Sequence, residues 1–107
     1  MAETFLFVGC LNRDASSLQG THGLAVYAFK EESLAFEPCA TAADIDNPSY
    51  LSVDPANFCV YANSEIAGWR EGVVSAYRFD PAARTLTYLN KQPTLGSVTA
   101  HNSITAD

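Results

Sequence analysis

The sequence predicts an all-β chain of four-stranded antiparallel blades of the propeller kind, and three observations carry that expectation. Apolar and polar residues alternate at period two in short runs. The runs stop at Gly and at the Asp54-Pro55 and Asp80-Pro81 pairs, where proline has no N–H to give a ladder. The set of runs also recurs along the chain, as expected of a unit that cannot bury both its faces alone. No stretch holds an apolar stripe at spacing three and four, so almost no helix is expected, and Asp80 to Arg84 reads as a hairpin turn.

Strands are expected at residues 4–10, 23–30, 34–40, 49–54, 58–63, 72–79, 85–91 and 101–106. Thr4 to Gly9 matches Asn57 to Ala62 at an offset of 53, Leu24 to Phe29 matches Val74 to Phe79 at 50, and Ser33 to Phe36 matches Thr85 to Tyr88 at 52. Unequal offsets place the length variation in the loops. With the strands of a blade lettered A to D outward from the axis, the chain opens on a B-type strand, Phe5 to Gly9. C and D strands follow, then a full A-to-D set, and His101 to Asp107 reads as the A strand of another blade. The expected organisation is an incomplete first blade at 4–41, a complete blade at 47–92 and the first strand of the next at 99–107.

The segments Phe-Leu-Phe-Val-Gly (5–9), Asn-Pro-Ser-Tyr-Leu-Ser-Val-Asp-Pro (47–55), Tyr-Ala-Asn-Ser-Glu (61–65), Gly-Val-Val-Ser-Ala-Tyr-Arg-Phe-Asp-Pro (72–81) and Leu-Thr-Tyr-Leu-Asn-Lys-Gln-Pro (86–93) resemble the β-propeller lactonase family. That family includes 6-phosphogluconolactonase-like and carboxymuconate-cyclase-like enzymes. The resemblance implies a seven-bladed ring in which the C-terminal end supplies the A strand of the first blade. Seven repeats of roughly 50 residues need about 350, so a chain of 107 residues looks like the N-terminal third of such a protein.

Six basic against twelve acidic residues, with no Lys/Arg cluster, make nucleic acid and anionic membranes poor partners. The early apolar run, Phe5 to Leu11, is too short to span a bilayer and has no basic flank, so a cytoplasmic setting is expected. Cys10, Cys39 and Cys59 show no paired spacing and are expected to be reduced, Cys59 as a small core residue.

Five residues are candidates for chemistry. His101 opens the last A-like strand, where the resembled family also carries a His, although its neighbours Ala100 and Asn102 depart from the pattern. Its imidazole would polarise a lactone carbonyl or activate water. Glu65 ends the B strand of the complete blade, a second catalytic candidate against the plainer reading of a loop carboxylate paired with Arg70. Trp69 and Arg70 suit an anionic sugar by stacking and bidentate contact, and His22 follows the polar loop Asn12 to Thr21, so these three are substrate-binding candidates. Asp44-Ile45-Asp46-Asn47 lacks the ligand series and Gly of a calcium loop and reads as an acidic connector. No metal or cofactor is implied: Gly-x-Ser-x-Gly, a phosphate-cradling Gly loop and Cys/His metal spacing are all missing.

Two functions follow. One is a lactonase-like protein that hydrolyses or forms a sugar-acid lactone such as 6-phosphogluconolactone, this portion being inactive alone. The other is a non-catalytic propeller scaffold or ligand-binding module. The chain lacks the Gly-His and Trp-Asp signatures of WD40 repeats and the paired Gly of kelch repeats, which favours the first. Self-association through open strand edges is expected of either.

Overall fold

The computed structural model describes residues 3–13 and 22–106; most of the polar loop expected at 12–21, and Asp107, lie outside the described residues. Within them there are seven strands and no helix: β1 (Thr4–Gly9), β2 (Leu24–Lys30), β3 (Ala35–Ala42), β4 (Pro48–Asp54), β5 (Cys59–Ser64), β6 (Val73–Asp80) and β7 (Thr85–Pro93). They form a three-stranded sheet, β1-β2-β3, and a four-stranded sheet, β4-β5-β6-β7, each antiparallel throughout.

The Asp-Pro stops work through the aspartate as well as the proline. Asp54 accepts from the Ala56 N–H and the Asn57 side chain, and Asp80 Oδ1 accepts from the Ala82 and Ala83 N–H groups, closing both hairpin turns. Leu34 and Arg84, each the residue before an outer strand, both take left-handed backbone with φ near 55°.

Ladder register revises the sequence offsets. Leu6 stands opposite Tyr27 as Val60 stands opposite Tyr77, so β1 corresponds to β5 at an offset of 54 and Phe5 matches Cys59, not Phe58. Phe36 faces Phe29 as Leu86 faces Phe79, so the outer strands correspond at 50 and not 52. Both outer strands carry an extra residue at the same place, Cys39 in β3 and Leu89 in β7, where the register skips opposite Val26/Tyr27 and Ala76/Tyr77.

These registers decide which faces meet. Val60, Ala62, Tyr77 and Leu86 point at the first sheet, where Leu24, Ala42, Ile45 and Phe7 receive them to make the core. Phe5 and Phe7 both meet the ring of Phe79 edge-on, with centroids 4.9 and 5.5 Å away. At the bottom of the joint Arg84 binds Glu3 and the Cys39 sulfur. Among the described residues the equivalent face of the first sheet has no neighbour: Leu6 is 43 % exposed where Val60 is 0 %, and Phe36 is 55 % exposed. The chain is accordingly flat, 45 × 39 × 19 Å, with a radius of gyration of 14.2 Å, against about 13 Å for a compact domain of this length.

One expected strand is corrected. Residues 101–106 run beside β4 but form no ladder, because they exchange no paired backbone hydrogen bonds with it. They are held instead by side chains: Ser52 Oγ donates to the Asn102 carbonyl, and Asn102 Nδ2 donates to the Tyr50 carbonyl and to Asn63 Oδ1.

Candidate functional site

Three groups of side chains, at the ends of β1, β3 and β5 and along β4, take in Glu65, Trp69 and His101, while Arg70 and His22 lie outside them. The first is a carboxamide clasp between the sheets. Asn47 has φ of 44°, a conformation Asn tolerates better than most residues. Its Oδ1 accepts from the backbone N–H groups of Asn12 and Arg13, while Asn12 Oδ1 accepts from the Asn47 N–H and Asn12 Nδ2 donates to the Ile45 carbonyl. Gly9 and Gly23 are required beside it, since a Cβ on either would collide with the backbone carbonyl of Pro48 or Ile45. Asn47→Ala is expected to cost roughly 2–3 kcal/mol, from orphaned backbone donors and a left-handed Ala, and Asn47→Gly less; urea denaturation midpoints check the order.

The second group surrounds Trp69. Arg13 sits 5.6 Å from the Trp69 ring and bonds Asp46 Oδ2 at 3.2 Å. The cation at this tryptophan thus comes from the first sheet's loop, whereas Arg70 points elsewhere, lining a shallow exposed depression with Glu71 and Leu95. Glu65 takes part through its backbone only: its N–H donates to the Asn47 carbonyl and its carbonyl accepts from Asn47 Nδ2, and no Arg70 ion pair forms. Behind Trp69 lies a cavity of about 240 Å³, lined by Asp44, Asp46, Ser64, Ser75, Tyr88 and Lys91 among others. The Tyr77 hydroxyl donates to Asp44 Oδ1 at 2.8 Å; burial first, then this carboxylate, raises the Tyr77 pKa well above the usual phenol range.

The third group lies along β4. The His101 ring packs on Tyr50 at 4.2 Å between centroids. Beside it, fully buried Asn63 donates to Ser49 Oγ and the Thr99 carbonyl and accepts from Asn102; Asn102 Oδ1 is buried with no partner. No hydrogen bond, ion pair or ring contact joins His101 to Glu65, Trp69 or Arg70. His22 is exposed next to Gly23 and has none of these interactions. Asp44, Asp46 and Asn47 each give one side-chain oxygen to Tyr77, Arg13 or the backbone, and no group of three or more potential metal ligands occurs among the described residues.

The sequence does not mark the roles of Arg13, Asn12, Asn63, Ser64 and Ser75, and it shows Asn47 only within an acidic connector and Asn102 only as a neighbour of His101. Only the pairing of Asn47 with Pro48 at the head of a strand signalled a special backbone position; isolated Ser and Asn residues leave no mark on a period-two pattern.

Residues 5–107 match the family model described as lactonase, 7-bladed beta-propeller. The 6-phosphogluconolactonase of Bacillus subtilis is 29 % identical over 85 residues, 79 % of this chain and 24 % of the relative. A solved putative 6-phosphogluconolactonase from Bacteroides fragilis superposes with a TM-score of 0.75 at 30 % identity, over 90 % of this chain and 25 % of that one. The periplasmic gluconolactonase PpgL of Pseudomonas aeruginosa gives 0.72 at 25 % identity, over 90 % and 26 %. The chain therefore spans about a quarter of the length of the relatives it matches. Among the described residues no helix is long and apolar enough to cross a membrane.

Proposed function

The chain belongs to the seven-bladed β-propeller lactonase family, and from that premise we propose that it builds about two blades of a protein that opens or forms a sugar-acid lactone, with 6-phosphogluconolactone as the representative substrate. The observation that carries this is the family match across residues 5–107 on a chain folded as two packed blade sheets. Residues 4–41 are read as an incomplete first blade, 47–92 as a complete one and 99–107 as the first strand of the next. A cytoplasmic setting is proposed with it, in keeping with three free cysteines.

In this reading His101, on the axial side beside β4, polarises the lactone carbonyl or takes a proton from water, and Glu65 orients what faces it. Arg70 anchors an anionic group of the substrate, and Trp69 and His22 line its approach. Lactone opening needs the general base, the carbonyl polariser and the anionic anchor within reach of one substrate. Since nothing joins His101 to Glu65 or Arg70, these blades alone are expected to be inactive. The isolated chain should hydrolyse 6-phosphogluconolactone no faster than the spontaneous reaction, with His101→Ala indistinguishable from it. Turnover well above that background, abolished by His101→Ala, would show instead that these blades hold a sufficient site. The same separation of His101, Glu65 and Arg70 is what favours the second reading, a non-catalytic ligand-binding or scaffold propeller. Either reading leaves the open edge of β1 for a neighbouring strand, so the isolated chain is expected to self-associate.

A further inference from the structure

We propose that the cavity behind Trp69 is a binding site for a small neutral polyhydroxylated ligand of about one sugar ring. The inference goes beyond the lactone-directed reading and, Trp69 apart, uses different residues.

Ser64 and Ser75 are 2 % and 4 % exposed and line the cavity. Among the described residues neither hydroxyl has a hydrogen-bond partner, and neither is sealed off as a fully buried orphan, as Asn102 Oδ1 is. Ladder pairing puts both serines on the face that carries Val73, Tyr77, Tyr88 and Lys91. Ser64 pairs with Val73, Ser75 pairs with Ala62 and Lys91, and Tyr77 pairs with Tyr88. The Asp44 to Asp46 connector covers that face from the first sheet, and Trp69 supplies an aromatic wall. Two buried, uncommitted hydroxyls in a cavity ask for a hydrogen-bonding occupant, since polar groups withdrawn from water are normally paired.

Charge selects the class of occupant. Asp44 and Asp46 stand against an anion. Lys91 and the Arg13 guanidinium on Asp46 stand against a cation. A ligand that both donates and accepts while carrying no net charge uses the whole set. One Asp44 oxygen already accepts from Tyr77, leaving the other for a ligand hydroxyl. Lys91 donates to a ligand oxygen, the serines do either, and the C–H face of a sugar ring packs on Trp69. The volume of about 240 Å³ equals the liquid share of about eight waters, enough for one ring and too small for a nucleotide.

Trp69 is the chain's one tryptophan, so its fluorescence reports on this cavity directly. D-Glucose titrated into the full chain should give a saturable change in the millimolar range, and the D-gluconate anion a markedly weaker one. Ser75→Val should weaken glucose binding by about fivefold, the worth of one hydrogen bond. Lys91→Met, at an exposed position where folding is not at stake, should weaken it comparably. The proposal is overturned if glucose gives only a linear, non-saturating response, if gluconate binds as well or better, or if Lys91→Met titrates like the parent. Lactone turnover is a separate readout, so a failure here leaves the lactonase reading standing, and the reverse.

Discussion

Tyr77→Ala is expected to leave the chain largely unfolded at ambient temperature. The ring is 1 % exposed in the core between the two sheets and touches the Tyr88 ring edge-on at 5.7 Å between centroids. Truncating a buried aromatic costs about 3–5 kcal/mol through lost burial and the cavity left behind. A chain of this length has at the outset roughly 5–15 kcal/mol, and with one blade face exposed it belongs at the low end. Loss of the cooperative urea transition, followed by circular dichroism, is the check; a transition shifted by less than a third of its midpoint would mean that the sheets are stable without each other. Tyr77→Phe isolates the hydroxyl: it keeps the ring but leaves Asp44 without its donor, for about 1 kcal/mol. The phenol's raised pKa adds a pH signature. The unfolded chain ionises this tyrosine from about pH 10 while the folded chain keeps its proton, so its contribution is whole below pH 10 and falls as pH rises above it. Tyr77→Phe should remove that part of the alkaline slope.

The purified 107-residue chain is expected to sediment as species heavier than a monomer at micromolar concentration. β1 pairs with β2 on one side only, and among the described residues no strand meets its other edge. On that edge strand Leu6 is exposed to solvent, and across the same face so is Phe36 of β3; the equivalent positions of the second sheet are covered by its neighbour. An unpaired edge next to an apolar face templates another chain unless it is blunted, commonly by charge or proline, and Thr4 to Gly9 holds neither. The unladdered segment 101–106 of a second copy is a suitable donor. Leu6→Lys should shift the distribution toward monomer. A parent chain that stays monomeric and unfolds cooperatively would contradict this account.

How much was legible in the sequence depended on how local the signal was. The seven strands stand within two residues or so of their expected places because period-two runs and Asp-Pro turns are local chemistry. Register was not legible. A blade is covered on both faces, so its central strands are apolar on both, and Phe58 and Cys59 were equally good partners for Phe5 until the ladder chose Cys59. The same limit hid the Trp69 environment. Trp69 and Arg70 sit in a turn and bend whose backbone sends Arg70 to a separate surface depression, while Arg13 arrives from the loop of the other sheet. The clasp and the cavity rest on side-chain amides and hydroxyls whose partners are distant in sequence, and no spacing rule finds those.

The extra residue at Cys39 in one outer strand and Leu89 in the other makes the two outer hairpins superposable through one shift of 50 positions, irregularity included. A bulge is ordinarily what defeats the transplanting of a strand pair, because the donor's kink falls where the host is straight. Here donor and host kink together. Residues 24–42 and 74–92 are in that sense interchangeable cassettes, and swapping one for the other would transfer the exposed aromatic face of the first sheet, or the buried one of the second, without re-registering a single inner strand.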